Sequence, residues 1–202
     1  FDQSVVIDDD VIQKIDELAD FAPLHNPNNL IGIQEFKKLL PDATAVAVFD
    51  TAFHQTLPEE NYMYSTPYEW YEKYGVRRYG AHGTSHQFVA EKAAEYLGKP
   101  LKDLKMITCH LGAGSSMCAI KDGKSFDTSM GFTPLTGITM GTRSGDVDFS
   151  LVAYVMKKMQ TKDVDAILDT LNKKLGLLGV SGRSLDMRDL QADETDGHQS
   201  TS

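Results

Sequence analysis

The sequence predicts an α/β fold, and three observations predict it. Short, almost wholly apolar runs of strand length stand at 44–49 and 105–110. Amphipathic runs at helical spacing precede, separate and follow them, and Asp122-Gly123 sits between two further short runs as a hairpin signal. Strands alternating with helices define that class.

The elements follow in chain order. Val5-Val6-Ile7 opens the chain, and from Asp8 the residues Val11, Ile12, Ile15, Leu18 and Ala19 recur at helical spacing, predicting a helix over about 8–21. Acidic residues in its first turn complement the helix dipole. A loop with Pro23, His25, Asn26 and Pro27 leads to a second helix through Leu30, Ile33, Phe36 and Leu40, closed by Pro41. Thr44 to Phe49 has the composition of a strand covered on both faces, and it ends on Asp50. Residues 51–61 read as irregular. Pro67 then starts a short aromatic helix with Tyr68, Trp70, Tyr71 and Tyr74, which Gly75 stops.

Thr84 with Gln87 three residues on makes a capping-box pattern before Phe88, Val89, Ala93, Ala94 and Leu97, and Gly98 stands where a C-terminal cap belongs. Lys105 to His110 reads as a buried strand, followed by the glycine loop 111–116 and a hairpin around Asp122-Gly123. A Gly/Thr-rich stretch, 129–145, precedes a helix from near Asp148 and another over 164–174. The polar tail after Gln191 reads as loose.

With 202 residues, 41% of them hydrophobic, the chain is long enough to bury a core in one or two domains. The net charge of −9 argues against a nucleic-acid surface, which needs a basic face. Cys109 and Cys118 lie in apolar stretches without metal-type spacing, as free thiols of a reducing compartment do, and the expected location is the cytoplasm. No apolar run reaches the roughly 20 residues of a membrane span. The chain opens on Phe1-Asp2-Gln3-Ser4 without an initiator methionine, as a segment cut from a longer protein does.

Three stretches carry groups suited to phosphoryl transfer, which needs phosphate-holding donors, cations and an acceptor-positioning group rather than covalent chemistry. His110-Leu111-Gly112-Ala113-Gly114-Ser115-Ser116 offers backbone amides that phosphate oxygens can approach, although a glycine pair between strands is also an ordinary tight turn. Thr142-Arg143-Ser144-Gly145-Asp146 places a guanidinium between glycines, where it either clamps a phosphate or simply faces water. Tyr79 to His86 sets two histidines and two hydroxyls at a helix N-terminus, an anion site or a structural cap. Asp50 ends a strand, where α/β proteins assemble sites and where turns are also capped. No Walker or dinucleotide glycine fingerprint is present. His25, His54 and His198 lack the i, i+4 partner of a helical zinc motif.

Taken in order, 22–27, 48–55, 78–86, 127–135, 140–146 and Asp186-Met187-Arg188 resemble signature segments of the acetate kinase (acetokinase) family along nearly the whole chain. The resemblance implies an actin-like ATPase (ribonuclease H-like) fold and a two-domain kinase, here only partly present. Residues 1–50 would end an N-terminal acyl-substrate domain, and 51–202 would begin a C-terminal nucleotide-binding domain. It further implies reversible transfer of the ATP γ-phosphoryl group to acetate, with Mg²⁺ bridging the nucleotide phosphates, in a homodimer.

By the same resemblance Asp50 orients or activates the acceptor carboxylate, and His82 and Arg143 neutralise the transferring phosphoryl group. His110, Leu111, Gly112, Ala113 and Gly114 would contact nucleotide phosphates, and Asp186, Met187 and Arg188 would lie near the nucleoside. No metal ligand falls within the chain. Ala113 departs from the family, which carries asparagine there. Family members are about twice as long, so the segment alone is expected to be inactive. A propionate or butyrate kinase, and a non-catalytic nucleotide-binding module, are the alternatives.

Overall fold

A computed structural model describes residues 1–19 and 26–195. The first part is an antiparallel ribbon of β1 (Val5–Val6) and β2 (Val46–Ala47) with α1 (Asp9–Glu17) and α2 (Asn26–Leu39) between its strands. Asp8 caps α1, its carboxylate accepting the Val11 N–H at 2.8 Å. Val11, Ile15 and Leu30 form a core against Val5, Ile7, Ala47 and Phe49.

The expected two-sided burial of 44–49 is therefore corrected. Ala47 and Phe49 face the helices, whereas Val46 and Val48 are 52% and 61% exposed. An all-apolar run cannot report how many of its faces are covered, and here α1 and α2 cover one. The first helix also stops earlier than its apolar periodicity suggests, at Glu17, and α2 takes in Asn26 and Pro27, which the sequence reads as loop. Residues 20 and 21 of the expected first helix, 22–25 of the first signature segment and 196–202 of the tail lie outside the described residues.

The stretch 51–61 is more regular than expected, with a 3₁₀ turn at Ala52–Thr56 and α3 (Glu59–Tyr62). Next come α4 (Tyr68–Tyr74), closed by Gly75 in the left-handed conformation, and α5 (Gly83–Leu97), closed in the same way by Gly98. The second sheet is an antiparallel meander of β3 (Lys105–Leu111), β4 (Ser115–Lys121) and β5 (Lys124–Thr128). Asp122 and Gly123 turn the β4–β5 hairpin with φ of 55° and 77°, the type I′ signature their sequence announces.

Helix α5 lies on one face of this sheet, where Ala90 packs with Cys118 and Ile120 against Phe53, Leu101 and Met106. Only alternate β3 residues turn that way. Ile107 and Leu111 point to the other face and are 66% and 73% exposed, which corrects the reading of β3 as a strand buried throughout.

An irregular segment then runs to α6 (Phe149–Met159), α7 (Val164–Lys173), α8 (Gly176–Ser181) and α9 (Met187–Thr195). Asp148 and Asp163 cap α6 and α7 by accepting the Ser150 and Ala166 N–H groups at 2.7 and 2.9 Å. Helix α9 carries regular structure past Gln191, where a loose tail was expected. The α7–α8 junction clasps the loop ahead of it: Leu175, Leu177 and Leu178 donate N–H groups to the carbonyls of Thr142, Met140 and Gly141 at 2.9–3.0 Å, and Ser144 donates to Leu171 at 3.1 Å. Arg143 thus rides on a loop pinned from both sides.

Candidate active site

Asp50 reaches α5 twice. Its carboxylate accepts the His82 N–H at 2.6 Å, and its carbonyl accepts the Gly83 N–H at 2.8 Å. His82 holds φ of 57°, a left-handed conformation that costs a non-glycine residue about 1 kcal/mol. That conformation aims its N–H at Asp50. Gly83 is required beside it, because a Cβ there would overlap the Asp50 carbonyl oxygen. The expected capping box is corrected accordingly: Thr84 lies inside α5, and Asp50, distant in sequence, caps the helix instead. Gln87 bonds Glu91 at 3.0 Å rather than reaching back.

The His82 ring is held on two sides. Its Nδ1 lies 2.8 Å from the Ser116 hydroxyl, and its face stacks on His110 with ring centres 3.9 Å apart. His110 is fixed in turn by Ser85, whose hydroxyl is 2.9 Å from Nδ1. Ser116 is completely buried and also stands 2.8 Å from His86 Nε2. The other nitrogen of His86 is 2.8 Å from the Thr108 hydroxyl. His54, equally buried, has Nε2 at 2.9 Å from the Ala81 carbonyl and Nδ1 at 2.8 Å from the Ser125 hydroxyl. A carbonyl only accepts, so His54 carries its proton on Nε2.

The β3–β4 turn opens toward His82. The Gly112 N–H bonds the Gly114 carbonyl at 3.1 Å, and the Ala113 carbonyl accepts the Gly141 N–H at 3.0 Å. A Cβ on Gly114 would stand 3.4 Å from His82 Nε2 and 3.3 Å from Arg143 Nη1. Glycine therefore lets the main chain lie between an imidazole and a guanidinium. Arg143 Nη1 also donates to the Pro134 carbonyl at 3.2 Å, which orients the guanidinium plane.

Burial, then the neighbouring His110, pushes the His82 imidazole below its ordinary value, with Arg143 and His54 adding and Asp50 opposing. His86 is driven down to about 4, first by burial and then by His54, His82 and His110. Burial lowers His54 as well. Folding thus favours the uncharged forms of His54, His82 and His86, with the Arg143 guanidinium and the Asp50 carboxylate beside His82. The site is arranged to receive negative charge.

Asp50, His82, Arg143 and the Gly112–Gly114 turn thus come together. His110 meets the site through His82, and the Leu111 side chain is exposed. Asp186 precedes α9, and Met187 and Arg188 begin it, beyond the turn: a Cβ on Gly141 would lie 3.4 Å from Leu185 Cβ, and Gly141 bonds Ala113. Asp186 and Arg188 pair with each other at 2.5 Å, and the guanidinium holds the carboxyl down to about 2. Sequence reasoning took in His86 and Ser116 only as members of their stretches and assigned no role to Thr108 or His54. The i, i+4 spacing of His82 and His86, and the alternation that turns Thr108, His110 and Ser116 to one face, were the available signals. Among the described residues no group of three or more His, Cys, Asp or Glu has metal-holding geometry.

The sequence model of the acetokinase family matches residues 1–202. The chain is 66% identical over 199 residues to the acetate kinase of Limosilactobacillus fermentum and 57% identical over 199 residues to that of Bacillus subtilis, covering 98% of itself and 50% of each. It superposes on the crystal structure of Porphyromonas gingivalis acetate kinase with a TM-score of 0.93 at 47% identity, covering all of itself and 50% of that chain. For a propionate kinase from Francisella tularensis the values are 0.94 and 45%, over all of this chain and 51% of that one. The chain spans about half the length of these relatives, and its mixed α/β architecture is the actin-like ATPase fold of those structures.

Proposed function

The chain belongs to the acetokinase family, and from that premise we propose that the full-length polypeptide is an acetate kinase, transferring the γ-phosphoryl group of ATP reversibly to acetate. The observation that carries this reading is the convergence on Gly114, where His82 Nε2 and Arg143 Nη1 flank a glycine turn. A nucleotide phosphate laid along 112–114 would have its terminal group between them. That is where cationic and hydrogen-bonding partners stabilise a charge-rich transition state.

The chemistry balances without a general base. A carboxylate oxygen of the acceptor forms the new O–P bond, the bond from the γ-phosphorus to the bridging oxygen breaks, and its electron pair leaves on ADP. The acceptor is already an anion, so no proton has to be removed. Asp50 then acts through position: it caps α5 and sets the His82 main chain. Arg143, and His82 once protonated, offset the charge of the transferring group. Mg²⁺ accompanying the nucleotide would supply further neutralising charge.

Residues 1–50 close the acyl-substrate domain and 51–202 open the nucleotide domain, a division supported by the separate core of the β1–β2 ribbon with α1 and α2. His110 to Gly114 serve the phosphates, and Asp186 to Arg188 border the nucleoside. The cytoplasm is the proposed location, in keeping with the two free thiols. No helix among the described residues is long and apolar enough to cross a membrane. A homodimer is proposed on the half-exposed Tyr68 and Trp70 of α4. Propionate is the second candidate acceptor, favoured by the likeness to a propionate kinase, because a pocket discriminates one methylene by only about 1–3 kcal/mol. An acyl-hydroxamate assay on the full-length polypeptide with ATP, Mg²⁺ and acetate, propionate, butyrate or glycerol tests the reading. Hydroxamate should form best with acetate, and ATP binding without product from any carboxylate would leave a non-catalytic nucleotide module.

A further inference from the structure

The Ser116 hydroxyl has one proton and two imidazole partners. It lies 2.8 Å from both His82 Nδ1 and His86 Nε2, so it donates to one ring and accepts from the other. The state of one ring therefore dictates the state of the other. Thr108 suits one direction of this hydrogen-bond chain: its hydroxyl, 2.8 Å from His86 Nδ1, can accept there while turning its own proton toward the Cys118 carbonyl, 3.5 Å away. His86 then offers Nε2 as an acceptor, Ser116 donates to it, and Ser116 in turn accepts from His82 Nδ1. Arg143, across Gly114 from His82 Nε2, favours a lone pair there for its own electrostatic reason.

Resting on the kinase reading above, we propose that Ser116 is a positioning residue that locks neutral His82 as the Nδ1–H tautomer, leaving Nε2 bare to take up a proton when a phosphoryl anion arrives between it and Arg143. The imidazolium so formed still donates Nδ1–H to Ser116, so proton uptake needs no rearrangement behind it. Asp50, His54, His110 and Arg143, with His86 at 6.5 Å between ring centres, are the charged and titratable groups around His82. Only Asp50 favours its cation, and an incoming phosphate supplies the rest.

The test uses the full-length polypeptide with isotope-labelled histidine, read by nuclear magnetic resonance before and after inorganic phosphate. Neutral His82 should carry its proton on Nδ1 and become imidazolium with phosphate; a proton on Nε2 in the free protein overturns the proposal. In Ser116→Ala that tautomer preference should disappear. The alkaline limb of the kcat–pH profile should move down by about half a unit or more, with KM for ATP changed less than about threefold. A fall in kcat that is equal at every pH overturns it. Should Ser116→Ala fail to fold, Thr108→Val removes the terminal acceptor and should move the same limb in the same direction, and an unmoved limb refutes the chain. The tautomer readout needs no turnover, so absence of acyl phosphate would defeat the kinase reading while leaving this one decided on its own evidence.

Discussion

Replacing Asp50 with alanine in the full-length polypeptide should lower its unfolding free energy by about 1 kcal/mol. One charge-assisted hydrogen bond is lost, the 2.6 Å contact from the His82 N–H, together with the favourable placement of a carboxylate at the N-terminus of α5. The second Asp50 contact, its carbonyl with the Gly83 N–H, is main chain and survives. A side-chain cap is worth about 0.5–2 kcal/mol and a charge at a helix end about 0.3–1 kcal/mol. Asp50 is solvent-exposed, so screening keeps the total near 1 kcal/mol rather than the 3 or so of a buried charge. Asp50→Asn keeps an oxygen that accepts the same N–H and should lose about half as much.

Urea unfolding followed by far-ultraviolet circular dichroism measures both variants, and the hydroxamate assay measures kcat beside them. Because His82 sits in a left-handed conformation held by this contact, kcat should fall further in the alanine variant than in the asparagine one. A loss of less than about 0.3 kcal/mol in Asp50→Ala would refute the capping argument. Asparagine as damaging to kcat as alanine would mean that charge, and not position, is what Asp50 supplies.

Arg143→Ala should lower kcat by roughly 10³-fold or more if the guanidinium stabilises the transferring group, and a change of only a few-fold in steady-state kinetics would reduce it to a bystander. Gly83→Ala forces a Cβ against the Asp50 carbonyl and should cost about 2 kcal/mol in urea unfolding; an unchanged midpoint would contradict the close approach. His54, His82 and His86 all have pKa values lowered by folding, from an ordinary value of 6.5 to about 4 for His86. The unfolded chain then binds more protons between those values, so their contribution is intact above about pH 6.5 and declines as pH falls toward about 4. Unfolding free energies at several pH values should fall by on the order of 3 kcal/mol across that window, and His86→Gln should flatten the decline.

Much of the fold was legible because its signals are local. Asp148 and Asp163 cap their helices, Gly75 and Gly98 end theirs in the left-handed region, and Asp122-Gly123 turns its hairpin, each through contacts within a few residues. Errors arose where a distant partner outcompeted a local one. Thr84 and Gln87 had the spacing of a cap, but the carboxylate of Asp50 reached the helix first. The apolar runs at 44–49 and 105–110 announced strands correctly and could not announce that a single helical layer would cover each.

The sequence by itself determined the order of most helices and strands and their local turns, and it marked Asp50, His82, Arg143 and the Gly112–Gly114 loop as candidates for phosphoryl chemistry. Those follow from backbone preferences and side-chain chemistry, which residues carry with them. Only the tertiary structure decided that Asp50 caps α5, that Gly114 lies between His82 and Arg143, and that Ser116 joins two imidazoles. Such contacts join residues tens of positions apart, and their energies depend on distances that no local pattern encodes.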